Sequence, residues 1–322
     1  MRVLVTGVSG FVGGHLVEHL AAEGDLIVGL STSGCWPREL AHLEKLARIE
    51  PFNLLGQSET ALGDLVSRKQ PEVIYHLAAQ SNPQESISDP HRTWNLNLVG
   101  SLKLLEAVRC SGQKPRVVLV SSGVCYGNPE AKFIPVNENC PLRPNNPYAA
   151  SKAAVDLLGV QHYLTHGTET IIVRPFNHAG PRQSARYVLA SLALHVAEVE
   201  QGQRTHVEVG NLDIIRDFID VRDVVRAYRQ LAYSGQPGEI YNLGSGQGTK
   251  IANAFQYLCS QARKEIPIRV DNARLRPVDQ PLLIADTSKL RNAVKWEPRY
   301  TIEHTLSDML QFSRSVICKH PS

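Results

Sequence analysis

The chain has 322 residues, of which 43% are hydrophobic and 20% charged, a composition that favours a globular protein with a substantial core and excludes a largely disordered one. Its 34 lysines and arginines nearly balance its 31 aspartates and glutamates, leaving a net charge of +3. Because the basic residues are scattered along the chain, we expect no nucleic-acid groove and no attachment to an anionic membrane.

The six cysteines are widely spaced and form no CxxC pair. They are Cys35, Cys110, Cys125, Cys140, Cys259 and Cys318. This spacing favours reduced thiols over disulfides or a zinc site, so we predict a cytoplasmic protein that holds no metal. The apolar stretch Met1–Gly7 runs into a glycine-rich turn and is too short to span a bilayer, so it predicts a buried first strand.

In the first half of the chain, short β-branched runs alternate with helical patterns. Strands are predicted at Val3–Thr6, Leu26–Leu30, Val73–Leu77 and Val117–Ser121. Helices are predicted between them, at Gly13–Glu23, Glu59–Ser67 and Leu96–Arg109. The alternation implies parallel strands joined by right-handed crossovers, and the continuously apolar strands imply burial on both faces. We therefore predict an α/β fold with a Rossmann-type, doubly wound parallel sheet.

After about residue 175 the pattern loosens, with more frequent glycine and proline and with helices predicted at Tyr187–Glu200 and Val221–Tyr233. We interpret this part as a smaller α/β substrate-binding lobe and not as a second copy of the first half. The predicted division is a dinucleotide-binding domain at residues 1–175, to which some later segments return, and a lobe formed mainly by residues 176–322. A cleft between two such parts is a common place for a ligand.

The opening MRVLVTGVSGFVGGHL places Gly7, Gly10 and Gly13 in a GxxGxxG spacing between the first strand and the first helix. Gly7 would allow the tight turn, Gly10 the approach of a pyrophosphate to the backbone, and Gly13 close packing of the helix. Free N–H groups and the helix dipole would then hold the anion. We predict a dinucleotide site that also includes Phe11 and Val12, although a turn without a ligand can have the same spacing.

The second strand ends in GLSTSGCWPR, in a region where an acid would ordinarily bind the adenosine ribose of NAD. Ser31, Thr32 and Ser33 occupy that region, so no carboxylate would repel a 2′-phosphate. Their hydroxyls and Arg38 could bind one. We therefore favour NADPH as cofactor, with NAD as the alternative and a simple polar loop as the reading without a ligand.

Tyr148 and Lys152 stand four residues apart in PYAASKAA, which places both on one face of a predicted helix. The tyrosine pKa is ordinarily about 10, and a nearby ammonium would favour the phenolate, so the pair could exchange a proton with a hydroxyl or ketone. Such a pair also arises by chance in many helices. Upstream, Ser121 and Ser122 end a strand at the carboxyl edge of the sheet, where ligands bind. We expect Ser122 to hydrogen-bond the reacting oxygen and Ser121 to cap the strand.

Several further motifs follow one another nearly from end to end of the chain. They are HLAAQS (His76–Ser81), SSGVCYG, YAASK, RPFNHAGP (Arg174–Pro181), RDFIDVRDVVRA (Arg216–Ala227), YNLGSG (Tyr241–Gly246), RPVDQP (Arg276–Pro281) and KWEP (Lys295–Pro298). Together they resemble the extended short-chain dehydrogenase/reductase family of nucleotide-sugar enzymes.

The resemblance implies that Ser122, Tyr148 and Lys152 form a catalytic triad, with Tyr148 and Lys152 also touching the cofactor. It implies further cofactor contacts at Asn53, Leu54, Leu77, Ala78 and Ala79. It implies substrate contacts at Gln80, Ser122, Asn177, Arg216, Arg276 and Asp279. The two arginines suit a nucleotide diphosphate because a guanidinium matches phosphate oxygens, but surface ion pairs with Asp220, Asp223 or Asp279 are the alternative.

The reaction within that family depends on the turn after Ser122. Dehydratases of the family carry an acid–base pair where this chain has Gly123 and Val124, and neither residue can move a proton. Cys125 is not expected to take a direct part. The motifs favour reduction of the C4 ketone of a GDP-4-keto-6-deoxyhexose to a GDP-6-deoxyhexose such as GDP-D-rhamnose, although reductases often carry Glu in place of Val124.

The main alternative is a nucleotide-sugar 4-epimerase that keeps its NAD, followed by a 4,6-dehydratase or a nonenzymatic dinucleotide-binding regulator. A GDP-sugar is thus the expected substrate. The resemblance also implies a homodimer, formed through the helices around Asn97–Val108 and Ala149–Tyr163.

Overall fold

The computed structural model describes residues 1–271 and 282–319. The strands in chain order are β1 (Arg2–Thr6), β2 (Leu26–Ser31), β3 (Ala47–Pro51), β4 (Val73–His76), β5 (Arg116–Val120), β6 (Thr170–Pro175), β7 (Asn177–Ala179), β8 (Val207–Val209), β9 (Ile215–Asp220), β10 (Ile240–Leu243), β11 (Gly248–Lys250), β12 (Ile268–Val270) and β13 (Leu282–Leu283). The α-helices are α1 (Phe11–Ala22), α2 (Glu59–Lys69), α3 (Pro83–Ser88), α4 (Pro90–Trp94), α5 (Gly100–Cys110), α6 (Pro147–His166), α7 (Val188–Glu200), α8 (Val221–Ser234), α9 (Ile251–Ser260), α10 (Ser288–Val294) and α11 (Ile302–Lys319). Short 3₁₀-helical segments lie at Arg38–Lys45, Gly123–Tyr126 and Ala131–Phe133, and a π-helical turn at Asn95–Val99 joins α4 to α5.

Seven parallel strands form the central sheet, in the order β10-β6-β5-β4-β1-β2-β3. Strand β1 lies between β2 and β4, with Val3 opposite Ile27 on one side and Val73 on the other. From β1 the chain winds outward in both directions, which makes the carboxyl ends of β1 and β4 the switch point where such sheets bind ligands. The predicted doubly wound Rossmann-type sheet is confirmed.

Burial of both sheet faces explains why these strands are so apolar. In β1, Val3 and Val5 belong to the core shared with α1 and α8, whereas Leu4 belongs to the opposite core, shared with α2 and α5. Since successive side chains of a strand point to opposite faces, an uninterrupted apolar run is what a sheet covered on both sides needs.

The segments after β6 contribute to more than one layer. Strands β7, β9, β11 and β13 form a small second sheet, β8 pairs with β12, and helices α7, α9 and α11 pack around a separate apolar core. Yet α8 packs on α1, and β10 adds the edge strand of the central sheet. The domain boundary at residue 175 stays a prediction.

Predicted and observed helices differ in their first or last residues. Helix α1 begins at Phe11, before the predicted Gly13, because Gly10 serves as its N-cap residue and adopts an extended conformation. The helix predicted at Leu96–Arg109 lies within a longer helical run that includes the π-helical turn. Within residues 1–271 and 282–319, every helix is too short or too polar to cross a lipid bilayer.

Candidate active site

A cavity of about 810 Å³ runs along the carboxyl edge of the central sheet and continues toward the start of α7. Most of the residues predicted to bind cofactor or substrate line it. They are Gly7, Gly10, Phe11, Val12, Gly13, Ser31, Thr32, Asn53, Leu54, Leu77, Ala78, Ala79, Gln80, Ser122, Tyr148, Lys152 and Asn177. Arg38 and Arg216 do not line it, and Arg276 and Asp279 lie outside the described residues.

The glycine turn after β1 forms the floor of one end of this cavity. Gly7 has a φ of +68°, and a Cβ there would lie 2.7 Å from the backbone nitrogen of Ala78. A Cβ on Gly13 would run into the carbonyl oxygen of Val8, so that glycine is required by the turn itself and not by the sheet. Glycines thus leave the backbone accessible where α1 begins, and the N–H groups of the first turn of this helix suit a pyrophosphate.

The ends of β2 and β3 form the part of the cavity where an adenosine would lie. Ser31 is buried and its Oγ accepts a hydrogen bond from the backbone N–H of Gly34 at 3.0 Å, while Thr32 is exposed. Asn53 Oδ1 accepts hydrogen bonds from the backbone of Leu55 and Gly56, at 3.0 and 3.1 Å. No carboxylate of the β2–β3 region lines the cavity among the described residues.

The two predicted arginines lie elsewhere. Arg38 is exposed at the start of the 3₁₀-helical segment after β2, so its predicted contact with a 2′-phosphate is not seen in this arrangement. Arg216 lies in β9, within the second sheet, and donates to the carbonyl oxygen of Ile215 at 2.9 Å. Their predicted roles stay proposals, because neither side chain lines the cavity.

Helix α6 positions the predicted catalytic pair. Asn146 caps it, since its Oδ1 accepts from the N–H of Ala149 at 2.9 Å, and Pro147 occupies the first turn. Tyr148 and Lys152 lie one turn apart, 8% and 6% exposed, and both line the cavity. Ser122, which follows β5, lines the same cavity, and its hydroxyl acts on the pKa of Tyr148. The three predicted catalytic side chains therefore lie together.

Burial decides the protonation of this group. It raises the pKa of Tyr148 above its usual range, against a smaller opposing effect of the hydrogen bond with Ser122. Burial also lowers the pKa of Lys152 to about 8. The ammonium donates to the carbonyl oxygen of Val120 at 2.7 Å, and burial is the main cause that sets the direction of the Tyr148 pKa. The phenol is therefore present in the protonated form, which can act as an acid.

The residues that flank Ser122 serve the architecture. Ser121 is buried and donates to the carbonyl oxygen of Lys152 at 3.2 Å, which fastens β5 to α6. Cys125 lies outside the cavity lining and its thiol donates to the carbonyl oxygen of Ala149 at 3.5 Å. Burial raises the pKa of this thiol to about 12, so it stays protonated. Both findings agree with the interpretation that neither side chain reacts.

Sequence reasoning missed the part played by Asn97. Its amide accepts from the backbone N–H of Gln80 at 2.8 Å and donates to the Gln80 carbonyl at 3.0 Å and to Ser151 Oγ at 2.9 Å. Ser151 in turn donates to the carbonyl oxygen of Tyr148 at 2.8 Å. Asn97 thus connects the loop after β4 to the N-terminal part of α6 through hydrogen bonds. An asparagine inside an apolar helical stretch was the available signal, since a buried amide needs partners.

The far end of the cavity is polar and was also missed. Tyr187 shares a hydrogen bond with Ser81 at 3.0 Å between the two hydroxyls, and Arg186 forms an ion pair with Glu85. These four side chains come from the loop after β4, from α3 and from the residues before α7. This end of the cavity therefore offers both donors and acceptors to the part of a ligand that extends beyond Tyr148.

The fold and the placement of Tyr148 and Lys152 beside the glycine turn define a short-chain dehydrogenase/reductase. Within that class, the chain belongs to the GDP-mannose 4,6-dehydratase family, whose sequence profile matches residues 4–309. The predicted family and its oxidoreductase class are confirmed.

Three comparisons with known proteins illustrate the similarity. The GDP-6-deoxy-D-mannose reductase of Pseudomonas aeruginosa is 36% identical over 310 residues, which cover 96% of each chain. The structure of RMD from Pseudomonas aeruginosa complexed with NADPH superimposes with a TM-score of 0.86 at 34% identity, over 98% of this chain and 100% of the other. The UDP-glucose 4-epimerase of Thermus thermophilus, in complex with NAD, gives a TM-score of 0.86 at 28% identity, over 98% and 99% of the two chains. A nicotinamide dinucleotide thus accompanies this fold in both structures.

Proposed function

We propose that the protein uses NADPH to reduce the C4 ketone of a GDP-4-keto-6-deoxyhexose to the corresponding GDP-6-deoxyhexose, GDP-D-rhamnose. The observation that carries this proposal is the buried Tyr148, which lines the cavity together with Ser122 and places a phenol where a ketone oxygen would need a proton. The similarity over nearly the whole chain to a GDP-6-deoxy-D-mannose reductase supports the choice of substrate.

The residues present fit a dinucleotide, because the glycine turn and the start of α1 line the cavity and no side chain caps the helix at Gly10. When bound, the cofactor supplies the hydride that adds to C4. The phenol of Tyr148 gives its proton to the oxygen on C4 as that oxygen gains negative charge. Ser122 would hydrogen-bond the same oxygen, and Lys152 Nζ would hold the nicotinamide ribose. One hydride and one proton together convert the ketone to an alcohol.

Substrate contacts are proposed for Gln80 and Asn177, both of which line the cavity. Arg276 and Asp279 stay proposals from the resemblance alone. Arg216 likewise stays a proposal from the resemblance, because it does not line the cavity.

A dehydratase fits the site poorly. That reaction needs a proton-transferring side chain after Ser122, but a Cβ on Gly123 would lie 2.7 Å from the ring of Phe176. Val124 lines the cavity and carries no proton to transfer.

The deciding experiment is to incubate the purified protein with GDP-4-keto-6-deoxy-D-mannose and NADPH, following NADPH absorbance and identifying the product by NMR. We expect one NADPH to be oxidised for each GDP-D-rhamnose formed. The epimerase alternative takes its support from the likeness to the NAD-bound epimerase structure. If NADPH is left untouched while UDP-glucose or GDP-mannose is converted to its C4 epimer, the reductase proposal is wrong.

We propose NADPH over NADH because Ser31 and Thr32 leave the adenosine end of the cavity without a carboxylate. Replacing Ser31 by aspartate should raise the KM for NADPH by about tenfold, through repulsion of the 2′-phosphate, and leave the KM for NADH unchanged or lower. Steady-state kinetics with both cofactors measure this change. Ser260→Asp is the matched control, since Ser260 is exposed on α9 and does not line the cavity. Equal effects of the two variants on NADPH would contradict the assignment.

We also propose a homodimer. Helices α5 and α6 expose large apolar side chains that a monomer leaves in water, with Leu157 and Leu164 70% and 75% exposed and Leu102 38% exposed. Covering such a face with a second copy removes apolar area from water. Light scattering that returned the mass of a single chain would exclude this proposal.

A cytoplasmic location is proposed as well. Free thiols support it, because Cys35, Cys110 and Cys318 are exposed and unpaired by disulfides, as a reducing compartment allows.

A further inference from the structure

A cluster of one carboxylate and two imidazoles lies away from the cavity, where the second half of α5 meets the end of α6. It consists of Glu106 on α5 and of His162 and His166, one turn apart on α6. One ligand atom from each lies within 4.8 Å of the other two. The catalytic proposal uses none of these side chains.

We propose that Glu106, His162 and His166 bind a late first-row divalent cation, of which Zn²⁺ is the representative. Carboxylate oxygen and imidazole nitrogen are established zinc ligands, and two histidines at positions i and i+4 of a helix can bind one metal ion from the same face. A solvent molecule completes the four-coordinate site, which is open because His166 is exposed. The expectation that the chain holds no metal was based on cysteine spacing and did not consider this cluster.

The distances suit the exchange of a proton for a metal ion. His162 Nε2 and Glu106 Oε1 lie 3.0 Å apart and share a hydrogen bond. Two ligands at about 2.0–2.1 Å from a tetrahedral zinc ion lie about 3.3 Å from each other, so this pair needs to open by only a few tenths of an ångström. The ring centroids of His162 and His166 are 4.8 Å apart, so a rotation of the exposed His166 side chain completes the site.

The neighbours of His162 hold it as a metal ligand needs to be held. The side chain is 1% exposed, and its Nδ1 is hydrogen-bonded to Thr168 Oγ1 at 2.9 Å. Without a metal, Nε2 donates its proton to the Glu106 carboxylate and Nδ1 accepts from the Thr168 hydroxyl. When a metal ion takes the place of the Nε2 proton, that proton moves to Nδ1 and the Thr168 hydroxyl becomes its acceptor, the arrangement typical of metal-bound histidine. Burial lowers the pKa of His162, which favours the neutral ring.

Arg109 is the competing charge at this site. Its guanidinium donates to Glu106 Oε2, from Nε at 3.0 Å and from the terminal nitrogen at 2.6 Å. The other oxygen, Oε1, is the one that faces His162, so the arginine and the metal use different atoms of one carboxylate. Because Arg109 is largely exposed, water weakens its repulsion of the metal ion.

The test is isothermal titration of the full-length, tag-free protein with Zn²⁺, after its exposed thiols have been alkylated. We expect one equivalent to bind, and His166→Asn to weaken binding by at least about tenfold, as expected for loss of a ligand. Since His166 is exposed, this variant should fold normally. His304→Asn is the matched control, because His304 is also an exposed helical histidine and lies on α11.

Co²⁺ gives a second, spectroscopic measurement. The wild type and His304→Asn should show the same intense visible bands of a four-coordinate ion, and these bands should be lost in both His166→Asn and Glu106→Gln. The proposal is overturned if the wild type binds no stoichiometric Zn²⁺, or if His166→Asn binds as the wild type does. Because neither readout requires turnover, the result is independent of the proposed reductase activity.

Discussion

Replacing Tyr148 by phenylalanine should lower kcat for reduction of the keto sugar by about a thousandfold, in the middle of the range for loss of a general acid. The reason is that the phenol is the acid nearest to the proposed position of the ketone oxygen. Ser122 alone can hydrogen-bond that oxygen but is a far weaker proton donor. Binding of NADPH, followed by fluorescence titration, should change little, because the ring and its packing remain.

Tyr163→Phe is the matched control for this variant. Tyr163 also lies on α6 but does not line the cavity, so removing its hydroxyl should leave kcat near the wild-type value. The comparison separates loss of the acid from a general weakening of the helix. Full activity of Tyr148→Phe would exclude Tyr148 as the proton donor for either a reductase or an epimerase.

Replacing Arg174 by methionine should lower the free energy of unfolding by about 3–5 kcal/mol, the range found when one partner of a buried ion pair is removed. Arg174 Nε donates to Asp156 Oδ2 at 2.8 Å, and the two side chains are 4% and 1% exposed. The guanidinium also donates to the Tyr126 hydroxyl at 2.7 Å, which in turn donates to Asn242 Oδ1 at 2.7 Å. The variant leaves the carboxylate of Asp156, on the buried face of α6, without its counter-ion.

Urea unfolding of Arg174→Met and of the double variant Arg174→Met/Asp156→Leu checks this prediction. The double variant should recover much of the lost stability, since neither charge of this ion pair then remains. Burial raises the pKa of Asp156 and Arg174 opposes that effect, so the single variant should carry a still higher pKa. A carboxyl whose pKa is raised on folding destabilises the folded state least at acidic pH, where it is protonated. The single variant should therefore lose less free energy of unfolding at pH 5 than at pH 8. A loss that is the same at both pH values would contradict the buried-charge explanation.

The sheet and the dinucleotide turn could be predicted from the sequence because both depend on local patterns. Continuous apolar runs such as Val3–Thr6 are needed wherever a strand is covered on both faces, and Gly7 is needed wherever the backbone enters a left-handed turn. Tyr148 and Lys152 were found for a related reason, since helical spacing fixes which residues share a face.

The surroundings of the arginines, of Asn97 and of the Lys152 ammonium depend instead on tertiary packing. Arg38 and Arg216 have the right chemistry for phosphate, but one is exposed on a 3₁₀-helical segment and the other lies in the second sheet. Asn97 faces the loop after β4 from within a π-helical turn, which an ordinary helical pattern does not predict. The bond from Lys152 to the Val120 carbonyl likewise required the position of β5 relative to α6.

The contact between Gly123 and Phe176 also constrains how this enzyme can diverge. A Cβ at position 123 would lie 2.7 Å from the ring of Phe176, which follows the neighbouring strand β6. Acquiring the acid–base pair of a dehydratase would therefore demand replacement of both Gly123 and Phe176. Replacing Gly123 alone would create a clash with the ring, and replacing Phe176 alone would leave a void. A series of single substitutions, each tolerated by itself, would therefore not lead from this sequence to its dehydratase relatives at these two positions.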